Sequence, residues 1–166
     1  ILSGAVTYGA TGTTLSYTGT TSQSATATEF PATSGPFNLT INNSGTAPNN
    51  VVTIPFDRSI GGTASGTVLN LTNGVLDNLG YTLTVLNTNT SAVTSVTSGG
   101  RYITGRLARV LPASLTGTNT YVFPVGKTTN NAFELINPTT NAGGTVTIVA
   151  EAFDGATGGN PGNSLS

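Results

Sequence analysis

The chain is 166 residues long with a formal net charge of −1, and 7% of its side chains are charged, against about a quarter in ordinary globular domains. Cys, His, Met and Trp are absent, which excludes zinc sites, haem, iron–sulfur clusters, disulfide frameworks and Ser-His or Cys-His catalytic pairs. Five cations against six acids leave no basic footprint for nucleic acid or acidic membrane surfaces.

Thr supplies about a fifth of the residues, and Val, Ile, Tyr and Phe recur, while Glu, Lys, Arg and Gln are scarce. An all-β fold is therefore expected. In chain order, Leu2, Val6 and Tyr8 share one face of an opening extended segment, with Gly4 among them. Phe37, Leu39 and Ile41 alternate with Asn38, Thr40 and Asn42. Val51 to Phe56 is a more continuous apolar run, in which Pro55 points to an edge or bulge. Leu69 and Leu71 point one way and are followed by Asn73-Gly74, the favoured pair for a type I′ hairpin. Tyr81, Leu83 and Val85 alternate with Thr82 and Thr84. Further strands are expected over Arg101–Leu111, Tyr121–Val125, Ala132–Asn137 and Thr145–Phe153, the last with Val146, Ile148, Ala150 and Ala152 on one face.

A composition shift near Ser98-Gly99-Gly100 divides a nearly uncharged, Thr/Asn/Gly-rich β region (1–98) from a region (99–166) with longer strands and a Gly/Asn-rich tail from 154. An antiparallel β-sandwich is expected at least over 99–153. The first half belongs either to the same sandwich or to short solenoid-like rungs. The chain opens on Ile1-Leu2-Ser3 without an initiator Met, as expected of a processed product or a piece of a longer protein. Residues 1–9, through Leu2, Gly4, Val6 and Tyr8, are a candidate inter-subunit donor strand, or else an edge strand of their own chain.

Thr14-Leu15-Ser16-Tyr17-Thr18-Gly19-Thr20, Phe37 to Ser44, Leu69 to Leu76, Tyr102 to Arg109 and Tyr121 to Lys127 together carry a texture that resembles the repeat regions of very large surface proteins from Bacteroidetes and neighbouring phyla. The resemblance spans roughly residues 11 to 165 and rests on structural punctuation. It implies export by the type IX route and a role as adhesin or extracellular scaffold, and it implies no catalytic residues. Relatives usually continue past the tail into a further strand with an aromatic pair; this chain stops short of it, which fits truncation or completion by a partner chain.

Chemistry-bearing residues are few. The acids Glu29, Asp57, Asp77, Glu134, Glu151 and Asp154 are spread thinly. Glu134 and Glu151, in late strands, form the one pair suited to a carbohydrate-active enzyme, with surface ion pairing the plainer role. Arg106 and Arg109 fall on opposite faces of one strand. No Asp-x-Asp calcium loop occurs, though Asp154 with tail carbonyls offers a lone calcium position. Lys127, the only lysine, is a speculative isopeptide crosslink, with an exposed turn as the alternative. Asn38, Asn42, Asn70 and Asn89 head Asn-x-Ser/Thr acceptors, and the five tyrosines suit packing better than sugar stacking. No metal, cofactor or catalytic residue is expected. No apolar run reaches the ~18 residues of a membrane span.

The expected function is a non-catalytic extracellular or cell-surface module, a building block of a filament, stalk or adhesin. It would self-associate into a homopolymer, or pair with neighbouring modules of one protein, by strand complementation. The alternative is a glycan-binding module of a secreted protein.

Overall fold

Alternation builds the strands. In β3 (Asn38–Asn43) Leu39 and Ile41 are fully buried, and in β6 (Leu69–Asn73) Leu69 and Leu71 are buried while Asn70 faces solvent. Small polar Thr and Asn on the outer face keep the pleated surface wetted without charge. The computed structural model of the chain describes residues 6–9, 11–62 and 66–153. Leu2 and Gly4 of the candidate donor segment, and the tail from 154 with Asp154, lie outside the described residues.

Two sheets build the coil, and a third, two-stranded one packs on the same core. β1 (Thr14–Gly19), β3 and β6 run parallel in the first. The second runs β2 (Gln23–Ser24), β4 (Val51–Thr53), β7 (Val75–Val85) and β8 (Tyr102–Leu111), all parallel, with β5 (Arg58–Ile60) beside the latter part of β7. The chain passes from one sheet to the other and back, and so forms a β-solenoid of about four turns. Each turn stacks its inward residues on the previous one: Tyr17, Ile41 and Leu71 in one column, Leu15, Leu39 and Leu69 in another, Val52, Leu76 and Ile103 across from them. Each fully buried aliphatic side chain contributes about 1.5–3 kcal/mol, so these columns, not the scattered polar contacts, hold the coil together.

Asn73-Gly74 forms a corner of this coil instead of the expected hairpin, since β6 and β7 lie in different sheets. Gly74 takes φ +85, and a Cβ there would lie 2.6 Å from the Asn50 carbonyl and 2.8 Å from that of Asn43, both on the preceding turn. Close stacking, in addition to left-handed geometry, thus demands glycine. The Asn73 amide donates to Asn42 Oδ1 at 2.6 Å, and Asn43 Nδ2 donates to the Thr21 carbonyl at 2.6 Å, so asparagines tie successive corners together. Pro55 falls in the break between β4 and β5, where no ladder N–H is required.

The second half departs from the expected antiparallel sandwich. β8 joins the coil parallel to β7, with Val75 opposite Tyr102 and Val85 opposite Arg109. Among the described residues, antiparallel ladders join β11 (Val146–Ala150) to β8 and β9 (Thr120–Phe123) to β10 (Phe133–Ile136), with an isolated antiparallel bridge between Gly126 and Asn130. Period-two alternation is the same in parallel and antiparallel sheets, so it specifies a face but not a strand direction. Ser98–Gly100 lies in the connection between β7 and β8. A single 3₁₀ turn, Thr90–Ala92, precedes it.

Candidate functional site

The largest buried side chain is a cation. β8 points Leu107, Arg109 and Leu111 inward on one face, and Arg109 is fully buried. Its guanidinium donates from Nη1 to the Val122 carbonyl (2.9 Å) and from Nη2 to the Asn89 (2.8 Å) and Thr90 (2.9 Å) carbonyls. The rings of Tyr121 and Phe123 lie 5.0 and 5.8 Å from its carbon centre. Nε has no hydrogen-bond partner. Burial lowers its pKa from the ordinary arginine range to about 10, the Tyr121 hydroxyl opposing the shift. With carbonyl oxygens as its hydrogen-bond acceptors, Arg109 ties β8 to the 89–90 segment and to β9. Tyr121 adds a second tie, its hydroxyl donating to the Thr88 carbonyl at 2.9 Å.

The outer face of the large sheet carries a groove of about 830 Å³. Val51, Val75 and Tyr102, adjacent across three strands, form its floor. Asp77, Lys127 and Asn130 contribute polar groups to its sides. Val75 and Tyr102 are each only 8% exposed, so the floor is a packed surface with little aromatic face on offer. Asn130 is occupied in structure: Nδ2 donates to the Arg101 carbonyl (2.8 Å), and Oδ1 accepts from the Ala132 N–H (3.0 Å).

At the first turn Glu29 gathers donors. Its carboxylate accepts from the Tyr17 hydroxyl (2.9 Å) and from the Thr26 N–H (3.2 Å) and hydroxyl (3.1 Å), while the Tyr8 hydroxyl donates to its backbone carbonyl. Burial first, and then the carboxylate, push the Tyr17 phenol well above its ordinary range; Tyr8 is raised for the same reasons. Val6 and Tyr8 donate their N–H groups to the Thr28 and Ser34 carbonyls, both at 3.4 Å.

The proposed acid pair is not assembled as one site. Glu134 stands exposed in β10 of the hairpin, whereas Glu151 follows β11 of the other sheet and pairs with Arg106 at 3.2 Å. Lys127 is exposed in the turn that follows Gly126. Tyr17, Tyr102 and Tyr121 are buried, and Tyr81 is exposed. Asn70 and Asn89 are exposed, while Asn38 and Asn42 sit half-buried in the first sheet. Among the described residues no group of three or more His, Cys, Asp or Glu comes together to hold a metal ion. No helix among them is long and apolar enough to cross a membrane. Sequence reasoning missed Arg109 as a structural centre, although its spacing between Leu107 and Leu111 placed it on the inward face. No protein-family model, curated protein or solved structure matches the chain.

Proposed function

We propose that this chain is a non-catalytic structural module that works outside the cell, as a building block of a surface filament, stalk or adhesin. The observation that carries this is the ladder running through β2, β4, β7, β8 and β11, backed by a core of stacked aliphatic columns. Such a ladder resists extension through backbone hydrogen bonds and needs no reactive side chain. The neutral Thr/Asn exterior supports the location, since a chain with 7% charged residues lacks the repulsion that keeps crowded intracellular proteins apart. The purified chain is expected to form elongated oligomers in sizing experiments and electron micrographs. Strict monomers at every concentration would remove the filament role.

One observation favours a second function, recognition of neutral glycans: the outer-face groove, whose floor is apolar and whose sides carry amides and one charge of each sign. A glycan array separates the two, because a pure scaffold gives no saturable, sugar-specific signal.

A further inference from the structure

We infer that the solenoid extends end to end: the free edge of β11 in one copy takes β1 of a second copy as its next strand. This rests on the structural-module reading above and assigns the surfaces through which such a module assembles.

A sheet edge left open is a template for another strand, and natural proteins guard it with lysine, proline, a bulge or a covering segment. Solenoids usually end in capping repeats with polar outer faces. Among the described residues neither device covers the free edges of the two end strands. Among the described residues β11 has β8 as its strand partner and β1 has β3, which leaves each with one unpaired edge. Val146–Ala150 and Thr14–Gly19 contain no charged residue and no proline. Val146, Val149 and the nearby Phe153 are 38%, 54% and 63% exposed, so the β11 end also offers apolar surface.

The other strands at the two ends fit less well. β10 carries exposed Glu134, and β2 is only two residues long. β11 and β1, at five and six residues, match in length. Of the opening segment's described residues, Val6 and Tyr8 donate their N–H groups to Thr28 and Ser34 and not to β1. A second copy brings to this edge a strand of matching length without charge or proline. Pairing unlike ends is heterologous, so it gives an open filament unless the rotation between copies closes a ring, and not a two-fold dimer.

A centred antiparallel register sets Ser16 opposite Val149, both on exposed outer positions. Like charges facing each other across strands destabilise the pair, and opposite charges stabilise it. The test is sedimentation velocity of the 166-residue chain over a concentration series at low salt, with circular dichroism confirming that each variant folds. The parent should assemble. Ser16→Lys with Val149→Lys should weaken assembly about tenfold, and Ser16→Glu with Val149→Lys should restore it to within about threefold. If the double-lysine variant assembles as the parent does, the assignment of these edges is wrong and the filament role stands. If the Glu/Lys variant stays as dissociated as the double-lysine one, β11 meets a strand other than β1. A parent that remains monomeric at about 100-fold above ordinary micromolar working concentrations overturns this assignment together with the filament role.

Discussion

Replacing Arg109 by Ala removes a guanidinium that donates to three backbone carbonyls and lies against two aromatic rings. Two effects oppose each other at this site. Hydrogen bonds from a charged donor contribute about 1.5–3 kcal/mol each. Taking the ion out of water costs several kcal/mol, and the pKa lowered to about 10 by burial reflects the same penalty. The net value of the charge is therefore small, but the cost of removing the whole side chain is not. Ala leaves a cavity in the core and strips the Val122 carbonyl of its guanidinium donor, a loss of about 3–5 kcal/mol. Against a total stability of about 5–15 kcal/mol for a domain, that is about a fifth of the margin or more. Met keeps the volume and the contact with Tyr121 and Phe123, so Arg109→Met should lose about half as much as Ala. Urea denaturation followed by tyrosine fluorescence measures both, as the chain has five tyrosines and no tryptophan. Hydrogen exchange should show the loss of protection around Thr90–Ala92 and Tyr121–Phe123. An Ala variant within about 1 kcal/mol of the parent would refute the view that this side chain bolts β8 to its neighbours.

Gly74→Ala should cost about 2 kcal/mol or more, because the new Cβ meets two carbonyl oxygens within 2.8 Å at a φ of +85. Gly80→Ala, with φ +83 but open space around it, should cost only about 1 kcal/mol; comparing the two urea midpoints isolates the stacking contact. Stability should fall as pH rises above 10. The phenols of Tyr8, Tyr17 and Tyr121 are raised above 10.0 in the folded state, so they stabilise it fully below that pH and lose this as pH climbs toward their folded values. Arg109, its pKa lowered to about 10, acts with the opposite sign above that pH, one group against three. Tyr17→Phe should flatten the alkaline decline, and an unchanged slope in urea melts from pH 9 to 11 would count against this. Glu151→Gln should shift stability by less than about 1 kcal/mol, since the Arg106 side chain with which it pairs is 52% exposed.

Much of the strand layout was legible in the residues themselves. The alternation of Leu39 and Ile41, of Leu69 and Leu71, and of Val146, Ile148 and Ala150 named the faces that turn inward. Scarce helix formers and abundant β-branched residues made the fold all-β, with one 3₁₀ turn among the described elements. Partner and direction lay beyond that reach. A parallel and an antiparallel strand bury the same alternate side chains, so β8 carries no local sign that it runs alongside β7. The dipeptide Asn73-Gly74 specifies a left-handed turn equally well for a hairpin or a coil corner, and only the carbonyls of Asn43 and Asn50 on the preceding turn make it a corner. Arg109 followed the same rule: its inward face was written in its spacing, while the acceptors that hold it come from residues 13 to 20 positions away. Local sequence sets which way a side chain points, and the packing of distant segments decides what it finds there.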